Sequence, residues 1–170
     1  MRALGTHHSS YEGSFAAPSR RRVAALGLAA AGLFLAGCAS KPVVTPVSMT
    51  LVAGADANPD VRGRASPVTV RVYVLKTPGA FEGADFFSLF EKDQATLGAE
   101  MVQREELLLR PGESKKLDFT LQPDAKLVGV MAAFRDLDRA RWREVRTLEV
   151  GKPNTFTVTF GARQIRIEPK

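Results

Sequence analysis

The chain is 170 residues long, 45% hydrophobic and 25% charged, with a formal net charge of +6. From Cys38 onward it holds 20 Lys and Arg against 17 Asp and Glu, a net +3 with the signs interspersed, which removes the motive for nucleic-acid binding. Cys38 is the only cysteine and both histidines, His7 and His8, precede it, so Ser-His-Asp and Cys-His catalysis, imidazole acid-base chemistry, the usual zinc ligand sets and disulfides are all excluded from the chain that follows.

Arg20, Arg21 and Arg22 are followed by fifteen uncharged residues, 23 to 37, built from Ala, Gly, Leu, Val and Phe. This is the composition of a signal-peptide core, and it falls short of the roughly 20 apolar residues that a membrane-spanning helix needs. The run ends in Leu35, Ala36, Gly37 and Cys38, which resembles a bacterial lipobox. Cleavage before Cys38, with acylation of its thiol and new amino group, gives a 133-residue tethered product. Several acyl chains on one residue suffice for stable anchoring, where a single chain holds only marginally. The competing reading is a buried helix that ends in Gly-Cys. The stretch 1–19 is longer than a usual charged leader segment, which suggests a translation start nearer the arginines, and this would need a start codon other than Met.

The expected organisation is a leader over 1–37, a lipidated tether over 38–46 that is polar and proline-bearing, and a β domain over 47–170. Val47 to Ala53 reads as a first strand. Val68 to Lys76 reads as a second, with Val68, Val70, Val72 and Val74 alternating against Thr69, Arg71, Tyr73 and Leu75. Between them GADANPDVRGRASP (54–67) is too long for a tight hairpin turn and predicts a protruding loop, either a contact surface or a plain solvated connection. At 84–98 the period becomes helical, with Phe86, Phe87, Leu89, Phe90 and Leu97 expected to pack into the core, Asp85 to cap the start and Gly98 the end. Gln103 to Leu109, a Pro111-Gly112 turn and Ser114 to Leu121 read as a hairpin. Leu127 to Phe134 reads as a strand buried on both faces. Asp136 and Asp138 favour a turn before a strand from about Arg141 to Val150, anchored by Trp142. Thr155 to Phe160 and Gln164 to Glu168 complete the set. About eight strands and one helical insertion, without a βαβ rhythm, predict an all-β antiparallel sandwich.

No constellation in this set requires chemistry. Asp136 and Asp138, among Arg135, Arg139, Arg141 and Arg143, read either as a carboxylate pair or as a turn held by ion pairs, and neighbours on one loop rarely flank a cleft. Asp56, Asn58 and Asp60 alternate as a calcium loop begins, but Gly63 and the missing twelfth-position Glu break the pattern. No phosphate-binding glycine loop is present. The expectation is no enzyme and no cofactor beyond a covalent lipid on Cys38.

NPDVRGRASPVTVRVYVLK (58–76), ADFFSLFEKD (84–93), LRPGE (109–113) and VGVMAAFRDLDRARWREV (128–145), in this order after a lipobox, together resemble the TssJ family of type VI secretion outer-membrane lipoproteins. The resemblance implies a transthyretin-like sandwich of two four-stranded sheets, a domain facing the periplasm, and outer-membrane sorting favoured by Ala39. It also implies a partner, the periplasmic C-terminal region of the inner-membrane protein TssM, in a complex that includes TssL. Contact is implied through the first loop, which makes Asn58, Pro59, Asp60, Arg62 and Arg64 the candidate interface residues. The alternative function is a lipoprotein that binds a small molecule or glycan on the same sandwich. That reading needs a concave aromatic patch, for which Trp142 and Tyr73 are the only polar-tipped aromatics after Cys38.

Overall fold

The valine alternation of the second strand sets the architecture. Val68, Val70, Val72 and Val74 turn one way into a core shared by two sheets, while Tyr73 and Leu75 turn the other way under a helical cover. The computed structural model describes residues 43–170, so the expected leader, Cys38 and most of the tether lie outside the described residues. The strands are β1 (Thr45–Ala53), β2 (Val68–Leu75), β3 (Met101–Leu109), β4 (Ser114–Leu121), β5 (Leu127–Ala132), β6 (Arg143–Thr147), β7 (Asn154–Phe160) and β8 (Ile165–Pro169). They form two four-stranded sheets in the orders β4-β1-β7-β8 and β3-β2-β5-β6. All pairings are antiparallel except β1 with β7, where Val47 sits opposite Asn154 in a parallel ladder.

Phe119, Phe156, Val158 and Phe160 meet the β2 valines across the sandwich, and β5 is buried along its whole length, as a strand covered on both faces should be. One sequence expectation fails here. β3 and β4 do not form a hairpin, because they belong to different sheets. In the 110–113 turn the Gly112 amide donates to Ala53 O at 3.0 Å and the Ala53 amide to Glu113 O at 2.9 Å, so the turn fastens onto the end of β1 and carries the chain from one sheet to the other.

The helical insertion is larger than its sequence pattern and is broken. A short helix α1 (Gly79–Gly83) precedes α2 (Phe86–Leu97), and α2 breaks at Lys92, where φ is −136°. Asp85 caps α2, accepting from the Ser88 amide at 2.9 Å, and Gly98, at φ 51°, ends it. The break leaves carbonyls of α2 without helical donors. Thr96 Oγ1 donates to Ser88 O at 3.0 Å, and Arg71, reaching out from β2, donates to Leu89 O at 3.1 Å and Phe90 O at 2.7 Å. Arg143 of β6 does the same at the end of α1, donating to Phe81 O and Ala84 O while its guanidinium lies 4.7 Å from the Trp142 ring centre.

The apolar residues of the insertion pack against the core as expected, except Phe87. Leu89 and Leu97 are buried with Phe81 of α1, Phe86 and Phe90 stack on each other at 5.3 Å and pack half-buried against that cluster, and Phe87 alone is 61% exposed. Phe86 meets Trp142 edge-on at 5.3 Å, which ties the insertion to the segment before β6. Phe81 explains the glycine in the middle of β5: a Cβ on Gly129 would stand 2.9 Å from Phe81 Cε1 and 3.1 Å from Leu75 Cδ1. Gly129→Val is expected to lift α1 off the sheet and cost about 2 kcal/mol in urea unfolding.

Candidate partner-binding site

Segment 54–67, between β1 and β2, is shaped by two of its own side chains. Asn58 adopts φ 48°, a left-handed conformation that Asn tolerates better than most residues, and is 3% exposed. Its Nδ2 donates to Pro67 O at 2.7 Å and its Oδ1 accepts from the Arg135 amide at 2.7 Å, fastening both ends of the loop together and to the segment after β5. Asn58 is thus a fastener beneath the surface. Asp60 organises the tip, its carboxylate accepting from the amides of Arg62 at 2.8 Å and Arg64 at 3.0 Å and from Arg64 Nε at 2.8 Å. The Asp60 amide donates to Arg64 O at 2.9 Å, and Gly63 turns the chain at φ 78°. The Arg64 amide above all, then its guanidinium and the Arg62 amide, hold the Asp60 carboxyl below the usual carboxylate range, although desolvation opposes them.

The result is a closed 60–64 turn that stands Val61 clear of the molecule at 104% exposure, with Arg62 and Arg64 exposed beside it and Pro59 half-buried at its base. Sequence reading passed over Val61, and the signal available was a lone apolar residue between charges in a polar loop. Segments 133–142 and 161–164 come up beside the turn. Together they form an open groove of about 1100 Å³, whose walls include Asp60, Val61, Arg135, Asp136, Arg139 and Arg163. The Asp136 carboxylate accepts from Arg163 Nε at 2.6 Å, and Arg141 pairs with Glu144 at 2.6 Å. The aspartate-arginine cluster is therefore a set of ion-paired loops bordering the first loop.

Asp56, Asn58 and Asp60 do not converge as metal ligands, because Asn58 and Asp60 are committed to backbone amides and a carbonyl. No group of three or more His, Cys, Asp or Glu side chains comes together among the described residues, and no described helix is long and apolar enough to cross a membrane. The aromatic patch that a glycan binder would need is absent from Tyr73, which is fully buried with its hydroxyl against Asp93 at 3.2 Å, and Trp142 lies half-buried under Phe86.

The model of the type VI secretion lipoproteins, a family described by the names VasD, EvfM and TssJ, matches residues 45–163. No curated protein matches closely enough to count as a relative. Among solved structures, the type VI secretion lipoprotein TssJ1 from Pseudomonas aeruginosa is 40% identical, with a TM-score of 0.73 over 76% of this chain and 97% of that one. A chain of a type VI membrane complex is 28% identical, with a TM-score of 0.64 over 73% of this chain and 98% of that one. A chain in a structure of the TssM C-terminal domain (869–1107) from EAEC is also 28% identical, with a TM-score of 0.61 over 72% of this chain and 99% of that one. The match runs from the first residue of β1 to the loop before β8 and takes in seven of the eight strands, the insertion and the whole of the 54–67 segment. With eight strands in two sheets of four and a helical cover on one, the chain belongs to the TssJ family of type VI secretion lipoproteins.

Proposed function

We propose that the protein is the lipid-anchored adaptor of a type VI membrane complex: Cys38 carries the lipid, the outer membrane holds it, and the 60–64 turn binds the periplasmic C-terminal region of TssM, with TssL in the same assembly. One observation carries the reading. The rigid turn that displays Val61 stands at the end of the sandwich opposite the start of β1, where the chain arrives from Cys38. Nine residues of β1, at about 3.3 Å each, separate the two ends by about 30 Å. A partner that crosses the periplasm thus meets the loop and not the membrane. The chain matched in the TssM structure supports the same partner, since 72% of this chain suffices to cover 99% of it. In this reading Val61, Pro59 and Arg62 make contact, Arg64 does so while held to Asp60, and Asn58 acts from below.

Confinement to a membrane surface raises the effective concentration of the turn for a partner, so affinity need not come from a large interface. Cys38→Ala is expected to leave the domain folded but to abolish outer-membrane fractionation and secretion. Normal secretion from that variant overturns the anchoring argument. Binding of residues 42–170 to the TssM periplasmic region is measurable by calorimetry, and no detectable heat or binding overturns the partner assignment.

Asp60→Ala separates shape from contact. It is expected to weaken TssM binding about tenfold, because the turn must then be ordered on binding, while the melting temperature stays nearly unchanged. The sign with pH follows from the lowered carboxyl. Closure of the turn is complete above the unfolded aspartate value of about 4 and is lost as pH falls through the lower folded value, so the protection of the Arg62 and Arg64 amides, taken relative to their intrinsic exchange rates, should be lost only in acid.

A further inference from the structure

The connecting loops at the two ends of the sandwich use different cations, although the strands carry Lys115 and Lys116 at one end and Arg146 at the other. Around the 60–64 turn, every basic residue of segments 54–67, 110–113, 133–142 and 161–164 is an arginine. Where β1 begins they are lysines: Lys76 after β2, Lys126 before β5, Lys152 before β7 and Lys170 after β8. These segments are knitted into one surface, the Lys126 amide donating to Leu75 O at 2.9 Å and the Leu148 amide to Lys126 O at 2.8 Å. Lys76 pairs with Asp124 at 3.2 Å and Lys152 with Glu149 at 2.9 Å, while Lys126 and Lys170 have no carboxylate partner among the described residues.

The loop at 148–153 is built, not loose. Asn154, 7% exposed, accepts from the Glu149 amide at 2.9 Å and donates to Glu149 O at 3.1 Å and Lys152 O at 2.8 Å. The Gly151 amide donates to Thr45 Oγ1 at 2.9 Å, and Val43 packs so closely over Gly151 that a Cβ there would lie 3.0 Å from its Cγ1. Val43, 56% exposed, and Val150, 37% exposed, are thus held beside the lysines at the point where the tether arrives.

We infer that this end of the domain rests on an anionic phospholipid surface, with the lysine ammonium groups on headgroup phosphates and Val43 and Val150 in the interface. Lysine can serve in this position, because its flexible stem lies along apolar surface while the ammonium stays hydrated at the headgroup level. Residues 39–44 span at most about 20 Å, so a lipid on Cys38 keeps the lysine end within reach of headgroups. The inference rests on the lipid being carried by Cys38, and it adds that the domain stands upright on its own membrane, with the 60–64 turn pointing away.

The test uses residues 42–170, which form one compact unit and lack Cys38. Co-sedimentation with vesicles of phosphatidylglycerol and phosphatidylcholine in equal parts should show weak binding. That binding should vanish on pure phosphatidylcholine and in about 0.5 M salt. Lys126→Glu with Lys152→Glu should lower partitioning at least tenfold, on the basis of about fivefold per cation at an anionic surface. Arg62→Glu with Arg135→Glu, at the other end, should leave it unchanged. Equal binding to neutral vesicles, no binding at all, or equal loss from both pairs of substitutions overturns the inference. Lipid anchoring is read separately, from release of the full-length Cys38→Ala protein from membranes.

Discussion

Val61→Glu is expected to weaken binding of the TssM periplasmic region about a hundredfold while leaving thermal unfolding where it was. At 104% exposure the valine side chain adds almost nothing to the stability of the free domain, and surface changes of this kind stay within about 0.5 kcal/mol. In the complex the balance reverses. Full burial of a valine contributes about 1.5–3 kcal/mol, and a glutamate in its place brings a carboxylate that must be desolvated without a partner. A combined loss of about 3 kcal/mol is two orders of magnitude in Kd. Asn58→Ala should behave differently. It leaves the Arg135 amide and Pro67 O unpaired under the loop, so it should lower both stability, by about 2 kcal/mol, and affinity. Unchanged affinity for Val61→Glu in calorimetry removes the turn from the interface, whatever Asn58→Ala does.

That contrast marks where sequence reading stops. The loop was legible as a loop from its Gly, Pro, Asn and Asp content, and so were the alternation of β2, the buried run of β5 and the capping pair Asp85 and Gly98. These are all local patterns. Asn58 looked like one more polar loop residue because its partners, Pro67 O and the Arg135 amide, lie 9 and 77 positions along the chain. The supposed hairpin at Pro111-Gly112 failed for a similar reason. A tight turn between two strands has one local signature whether the strands pair or part, and here the amide of Gly112 is taken up by the end of β1. The phenylalanines of the insertion have helical spacing, and Phe86 and Phe90 do pack against the core beside the distant Trp142, but the spacing does not show that Phe87 stays exposed.

The break at Lys92 carries the largest stability prediction: Arg71→Met is expected to destabilise the domain by about 3 kcal/mol, roughly 10 °C in melting temperature. The arginine is only 11% exposed at its side chain, lies 4.6 Å from the Phe90 ring centre and pairs with Glu106. It also donates to two α2 carbonyls and approaches Asp93 at 3.5 Å. Methionine fills similar volume but leaves those carbonyls without donors and Asp93 with fewer partners. Asp93→Asn probes the same junction from the helix side. Burial pushes the Asp93 carboxyl up, but the Arg104 hydrogen bond at 2.7 Å, the Gln94 amide and the Tyr73 hydroxyl outweigh it, so the net shift is downward. Tyr73, pushed up to about 12 chiefly by burial, stays a neutral donor throughout. Because the folded Asp93 value lies below the unfolded one of about 4, its stabilisation is fully present above pH 4 and is lost as pH falls through the folded value. The gap in melting temperature between parent and Asp93→Asn should therefore be widest near neutral pH and close in acid. A gap independent of pH would mean that the carboxylate's charge does not hold the insertion down, and the arginines would then act on the helix carbonyls alone.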